Sequence, residues 1–295
     1  MISALLKALR PAQWVKNFFV LAPLVFGGKL LMLPWALRGA AAFGLFCAAA
    51  SAVYLLNDIR DREEDRQHPA KRHRPIASGR LPVPVAYVVA ILLVLVATVG
   101  GWLLTPVVGA LIFTYLAINW AYSFGAKRVV ILDLMIVAVG FVLRVEAGSA
   151  AVGVVTSRWL ILCTAFVALF LVMSKRRHEL TLLADGAASQ RSVLHLYSVP
   201  FLDQMINVVT ASTLVCYALY TVDPETVSKF GTQHLVYTVP LVLFGIFRYL
   251  YLIHRGTGNT TPTEAILTDL PFVLNVILWV IVVVAIVYLP KWMPA

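Results

Sequence analysis

Asn57, Asp58, Asp61 and Asp65 stand within nine residues, in the run NDIRDREED, in a chain where only 13% of residues are charged. On a helix, Asp58, Asp61 and Asp65 fall at i, i+3 and i+7 and share one face, with Asn57 beside them. Three carboxylates and an amide on one stripe repel one another unless a cation neutralises them. Oxygen-only ligands suit a hard ion such as Mg2+, which keeps several waters and completes its shell with substrate phosphates. The residues therefore read as half of a site for a Mg2+-bound diphosphate. Downstream, KRHRPIASGRL supplies Lys71, Arg72 and Arg74, then Pro75 and Gly79 to turn the chain. Cations facing a carboxylate stripe across a turn suit an anion held between them. Each half has a plainer alternative. The acids also fit a solvated helix with i,i+4 ion pairs such as Asp58 to Arg62, and the cations fit membrane topology. Glu63 and Glu64 match the solvated reading and stay outside the site. His68 and His73 read as loop residues, because neither has a partner at metal spacing.

The elements that must position this segment are membrane spans. The chain has 295 residues, of which 61% are hydrophobic, where a soluble globule is nearer a quarter charged. Its mean hydropathy is +0.87. A span needs about 20 mostly apolar residues. Nine such runs occur, at 14–33, 36–56, 83–104, 107–123, 130–150, 157–175, 201–223, 234–253 and 268–290. The expected fold is all-α: one polytopic helical bundle over 1–295, with residues 1–13 as an amphipathic interfacial helix. The N-terminal stretch makes a poor signal peptide, since no small-residue cleavage site follows an apolar core. Cys47, Cys163 and Cys216 fall inside spans and read as small packing residues.

Charge sets the orientation. With the N-terminus cytoplasmic, eighteen of the 24 Lys and Arg face the cytoplasm and five face outward, with Arg144 inside a span. The positive-inside rule then gives N-in, C-out. Trp14, Trp35, Trp102, Trp159 and Trp292 sit near span ends, as an aromatic belt does. A net charge of +10 could suggest nucleic acid, but the cations are divided among loops on one membrane face, so nucleic-acid binding is excluded. Arg144 needs its own explanation. A charge at a span centre costs about 2.5–3.5 kcal/mol on insertion scales. It should face a cavity or pair with a carboxylate. Glu146 lies about 200° round the helix, and Asp133 shares its face about 16 Å away, leaving room for a substrate phosphate between them. Snorkelling to the far interface is the alternative.

The acidic segment resembles the first signature of the UbiA superfamily of intramembrane prenyltransferases. That signature reads here as Asn57-Asp58-x-x-Asp61-x-x-x-Asp65, followed by Lys71, Arg74-Pro75 and Ser78-Gly79. The resemblance implies a nine-helix bundle around a lipid-facing cavity, with Mg2+ holding a diphosphate at the cytoplasmic mouth. The chain departs from the ordinary pattern after the sixth span. Where another acidic run is expected, LVMSKRRHELTLLADG places Lys175, Arg176 and Arg177, with only Glu179 and Asp185 acidic. That exchange weakens the case for a second Mg2+ and favours an extra phosphate. It resembles the branch of polyprenyl-phosphate phosphoribosyltransferases, such as those acting on decaprenyl phosphate. So do LRPAQWVKN, AYSFGAKR and LRVEAG elsewhere in the chain.

The branch implies a donor, phosphoribosyl diphosphate (PRPP), and a polyprenyl phosphate acceptor. The site must then hold one diphosphate and two monophosphates. Asp58, Asp61 and Asp65 are the expected catalytic groups and, with Asn57, the metal ligands. Lys71, Arg74, Lys127, Lys175 and Arg176 are candidates for phosphate, Tyr122 for phosphate or ribose, and Lys16, Asn17 and Arg144 for substrate. The acceptor is already anionic, so no general base is needed. The Gly- and Thr-rich last loop, with His254, Arg255 and Glu264, could cover the site. The resemblance also implies a multi-pass protein of the bacterial inner membrane, active on the cytoplasmic side, and a homo-oligomer, with a trimer as the expected form. Two rivals remain. One is an aromatic prenyltransferase using prenyl diphosphate, which shares the first signature but not the basic loop. The other is a transporter or flippase, which tends to place ionisable groups near the midplane.

Overall fold

The computed structural model describes residues 1–68, 71–184, 192–255 and 268–288, and these form helices with no strand among them. The chain divides into two compact units, Met1–Thr156 and Ser157–Ala295. Of the expected residues, Asp185, Arg191, Glu264, Lys291 and Trp292 lie outside the described ones.

The first unit opens with α1 (Ile2–Leu9), a 3-10 segment (Pro11–Leu21) and α2 (Ala22–Phe26). It continues with α3 (Leu33–Arg60), α4 (Arg62–Gln67), α5 (Val83–Leu104), α6 (Pro106–Phe124) and α7 (Leu132–Val152). Proline enters the first turn of α3, α5 and α6, where its missing N–H costs nothing. α3 is the centre of this unit and packs on α5, α7 and the 3-10 segment. Its buried face is built of small residues, including Gly39, Ala42, Ala49, Ala50 and Ala52, which let neighbouring backbones approach closely. Phe46 fills the remaining space against Val20, Ile112 and Tyr115. The tightest approach is at Gly148 of α7, where a Cβ would stand 1.9 Å from the Val20 carbonyl oxygen. Only glycine admits the 3-10 segment there. The outer face of α5 exposes Val88, Ile91, Leu92, Leu95, Val96 and Val99, a surface suited to lipid.

The second unit holds α8 (Arg158–Ala184), α9 (Val199–Val222), α10 (Pro224–Phe230), α11 (Val239–Arg255) and α12 (Leu270–Tyr288). α8 packs on α9, and α11 on α12. Arg248 of α11 donates through Nε and Nη2 to the two carboxylate oxygens of Asp269, at 3.0 and 2.8 Å. Asp269 also accepts from the Phe272 backbone N–H and so caps α12.

Among the described residues eight helices are long and apolar enough to cross a membrane. They match eight of the nine expected runs. The other run, 14–33, is not one α-helix. It is the 3-10 segment followed by the five-residue α2. At about 2.0 Å per 3-10 residue and 1.5 Å per α residue, the two together still extend roughly 30 Å. The three cysteines are free.

Candidate active site

The acidic run does not form one uninterrupted helix. α3 ends at Arg60, Asp61 sits at the break with φ −85° and ψ 9°, and α4 restarts at Arg62. The expected single-face stripe is therefore split. Asp58, from the last turn of α3, and Asp65, from α4, both point inward, at 3% and 1% exposure. Asp61 turns aside, its carboxylate 3.8 Å from Lys127 Nζ. Among the described residues no three His, Cys, Asp or Glu side chains gather as a metal-holding group.

Two arginines satisfy the inward pair. Arg74 Nη1 lies 2.7 Å from Asp65 Oδ2 and 3.1 Å from Asp58 Oδ1, bridging both with one nitrogen. Arg10 Nη2 reaches the same Asp58 oxygen at 2.6 Å. The sequence reading put an anion between Arg74 and the acids. Instead the guanidinium closes on them directly, because buried carboxylates without a counter-charge are costly. The i,i+4 pairs of the solvated alternative do not form either; Glu63 pairs with Arg66 at i+3 and is exposed.

Arg10 was missed by the sequence reading, although it stands second in the quoted stretch LRPAQWVKN. Its signal is the proline that follows, which disfavours the α region for the residue before it. Arg10 takes a left-handed backbone, φ 54° and ψ 59°, between α1 and the 3-10 segment. Its guanidinium lies 5.0 Å from the Tyr54 ring centroid. The neighbouring backbone is tied down as well. Ser51 Oγ donates to the Leu9 carbonyl at 3.0 Å and accepts from Trp14 Nε1 at 3.0 Å.

Asn57 faces the opposite side, where its Oδ1 accepts from Ser123 Oγ at 2.6 Å. That bond joins the end of α6 to α3 and brings Lys127, just beyond α6, toward Asp61. Tyr122 is half-buried in the same last turn of α6. Lys71 is half-buried in the turn Lys71–His73, and its backbone N–H donates to His68 Nδ1 at 3.3 Å. Burial and then the Lys71 charge push the His68 pKa down, which suits its acceptor role.

Asn17 and Arg144 lie together in the core of this unit. Arg144 donates through Nε to Asn17 Oδ1 at 2.7 Å, through Nη1 to the Gly140 carbonyl at 2.6 Å, and through Nη2 to Tyr115 Oη at 3.0 Å. Phe46, Tyr115 and Phe141 surround its charge. The snorkelling alternative is excluded, because Arg144 is 5% exposed. Lys16 is half-buried next to Asn17. In the second unit Lys175 is exposed, whereas Arg176 is buried and donates to Glu179 at 3.0 Å. Arg177 pairs with Asp203.

The donor set is chemically suited to a hard divalent cation. Asn57, Asp58, Asp61 and Asp65 offer oxygen only, and Asp58 and Asp65 converge on a single positive nitrogen, which marks a point where a cation meets both. An ion there would compete with the arginines if it arrived bare. An ion arriving with a diphosphate is net anionic, so the arginines gain phosphate partners as the carboxylates gain the metal.

A model of the UbiA prenyltransferase family matches residues 18–276. The chain is 35% identical over 284 residues to the decaprenyl-phosphate phosphoribosyltransferase of Mycobacterium tuberculosis (strain CDC 1551 / Oshkosh), covering 95% of this chain and 93% of the relative. It is 37% identical over 290 residues to the enzyme of that name from Corynebacterium glutamicum, covering 97% and 87%. The fold is similar to a UbiA homolog from Archaeoglobus fulgidus bound to GPP and Mg2+, with TM-score 0.71, 17% identity, and 96% and 99% of the two chains covered. It is also similar to a digeranylgeranylglyceryl phosphate synthase, with TM-score 0.64, 14% identity, and 97% of each chain covered. On the helical fold, the paired carboxylates at the junction of α3 and α4 and the match over most of its length, this chain belongs to the UbiA prenyltransferase family.

Proposed function

We propose that the protein transfers the 5-phosphoribosyl group of PRPP to a polyprenyl phosphate and releases diphosphate. The observation that carries the reading is the buried Asp58–Asp65 pair converging on Arg74, with Arg10 on Asp58 and Lys127 near Asp61. Carboxylates suit the metal-bound leaving group, and Lys and Arg suit the other two phosphates. The identity to decaprenyl-phosphate phosphoribosyltransferases supports the same donor and acceptor classes.

Mg2+ would be held by Asp58 and Asp65, with Asn57 and Asp61 turning in to complete the oxygen set, and would supply charge stabilisation for the departing diphosphate. Arg74 and Lys127 neutralise diphosphate oxygens from either side of the carboxylates. As the bond to the anomeric carbon breaks, positive charge grows on the ribose, and a phosphate oxygen of the lipid bonds to the opposite face, inverting that carbon. The acceptor is anionic at neutral pH, so no side chain need take a proton. Catalysis is then positioning and electrostatics. Lys71, Lys175 and Arg176 are assigned to substrate phosphate, and Tyr122 to the ribose or a phosphate. Asn17 and Arg144 fix the 3-10 segment that carries Lys16. We place the reaction on the cytoplasmic face of the bacterial inner membrane and treat 1–295 as one transmembrane domain, with a trimer as the expected assembly.

The test is donor choice. Purified protein with Mg2+ is offered labelled PRPP with decaprenyl phosphate, and separately geranyl diphosphate with 4-hydroxybenzoate. Turnover of the first pair alone is expected. Turnover of the second pair alone would make it an aromatic prenyltransferase.

A further inference from the structure

A cavity of about 280 Å³ opens beside the carboxylate pair, lined by Lys7, Arg10, Asp58, His73, Arg74 and Pro75. Four nitrogen-bearing side chains face one carboxylate there, so the cavity is built for an anion. Among the described residues the bonds from Arg10 and Arg74 to the carboxylates use one guanidinium nitrogen each, Nη2 and Nη1. Each guanidinium carries five N–H donors in a planar fork, and the remaining ones suit phosphate oxygens. Lys7 is exposed on α1 and adds a charge from the cavity rim. His73 is held at its carbonyl by Arg80 and at ring Nε2 by Arg72 Nε, which donates at 3.4 Å, so Nδ1 is the nitrogen left to face an anion.

α1 shows which anion this is. One face of the helix, Ala4, Leu5, Ala8 and Leu9, packs into a cluster with Leu55, Ile76, Leu81, Ala86 and Ala90. A second apolar face, Ile2 and Leu6, is 75% and 54% exposed. A short helix with an outward apolar face and a lysine lies in the membrane interface, with its apolar side chains among acyl chains. Lys7 and Arg10 therefore meet the cavity at the lipid boundary. Arg10 reaches it through a left-handed backbone, a conformation unfavourable for a non-glycine residue. Such strain persists where the surrounding structure enforces it, often at a ligand site. Pockets for whole drug-sized ligands run about 300–1,000 Å³, so this one suits a headgroup.

We propose that the Lys7–Arg10–His73–Arg74 cavity receives the monophosphate headgroup of the lipid acceptor, delivered along α1 while its chain stays in the bilayer. The proposal rests on the transfer reaction above and divides its phosphates: the acceptor lies on the α1 side of Asp58, and the donor lies toward Asp61 and Lys127. The shared wall, Asp58 and Arg74, brings nucleophile and leaving group together.

The test is equilibrium binding to the full chain in phosphatidylcholine nanodiscs, with decaprenyl phosphate, decaprenol and ribose 5-phosphate as probes. Lys7→Met and His73→Asn should each weaken decaprenyl phosphate binding about tenfold, the scale of one charge-assisted contact. Decaprenol and ribose 5-phosphate binding should stay unchanged. Equal weakening of decaprenol would mean that α1 holds the tail. Weakening of ribose 5-phosphate alone would assign the cavity to the donor. No change for decaprenyl phosphate would mean that the cavity is unused. Each of these three overturns the inference. Binding is read without turnover, so a protein that binds as expected but fails to consume PRPP would refute the proposed reaction and leave the headgroup site standing.

Discussion

At the scale of single residues, the three aspartates are unequal. Asp58 and Asp65 are sealed and arginine-bound, whereas Asp61 stands at the helix break, one-third exposed and near Lys127. Asp61→Asn should therefore leave the protein folded, and it should cut Mg2+-dependent turnover by about 100-fold, the scale of one lost electrostatic contact in a transition state. A rate close to that of the parent would remove Asp61 from the metal set. Glu63 is 71% exposed and, among the described residues, pairs with Arg62 and Arg66. Glu63→Gln should change turnover less than about twofold, since isolated surface ion pairs contribute little. Asp58, Asp65 and Arg74 were legible in the sequence because residue type and spacing name a chemistry. Arg10 was not, because it lies 48 positions from the aspartate it meets, and no local pattern links the two.

At the scale of elements, the long helices announced themselves by apolar length, and most ends were read within a few residues, but α8 runs on to Ala184, well past the expected end at 175. The break at Asp61 was not legible, since i, i+3, i+7 spacing assumes an unbroken helix. Nor was the 3-10 segment, whose residues carry the hydropathy of any span. Its conformation follows from tertiary contacts, chiefly Gly148 under Val20 and Arg144 on Asn17. Gly148→Ala would force the two backbones apart, with an overpacking cost of about 1–3 kcal/mol, read as a lower melting temperature in detergent. Asn17→Leu removes a buried partner from Arg144 and should destabilise more, by about 3–5 kcal/mol if the cost approaches that of breaking a buried ion pair. Asn17→Leu combined with Arg144→Met should recover part of that loss, because the second change withdraws the stranded charge. A double-variant loss equal to the sum of the two single losses would mean that the two side chains are independent.

At the scale of the whole molecule, composition alone specified a helical membrane protein, and the charge asymmetry predicts a direction. An added cysteine at Arg72 should react with an impermeant maleimide in inverted vesicles and stay unlabelled in intact cells. The three native cysteines lie within candidate spans and set the background. Labelling from outside would invert the topology. Removing divalent cations with EDTA should abolish turnover, and Mg2+ should restore it. The left-handed turn at Arg10 has a practical consequence. It makes α1 a lever whose short arm ends on the Asp58 carboxylate. Bulky fusions or affinity handles joined ahead of Met1 would tug on that arm, so a recombinant enzyme should keep its vigour only when such cargo rides on the other end of the polypeptide.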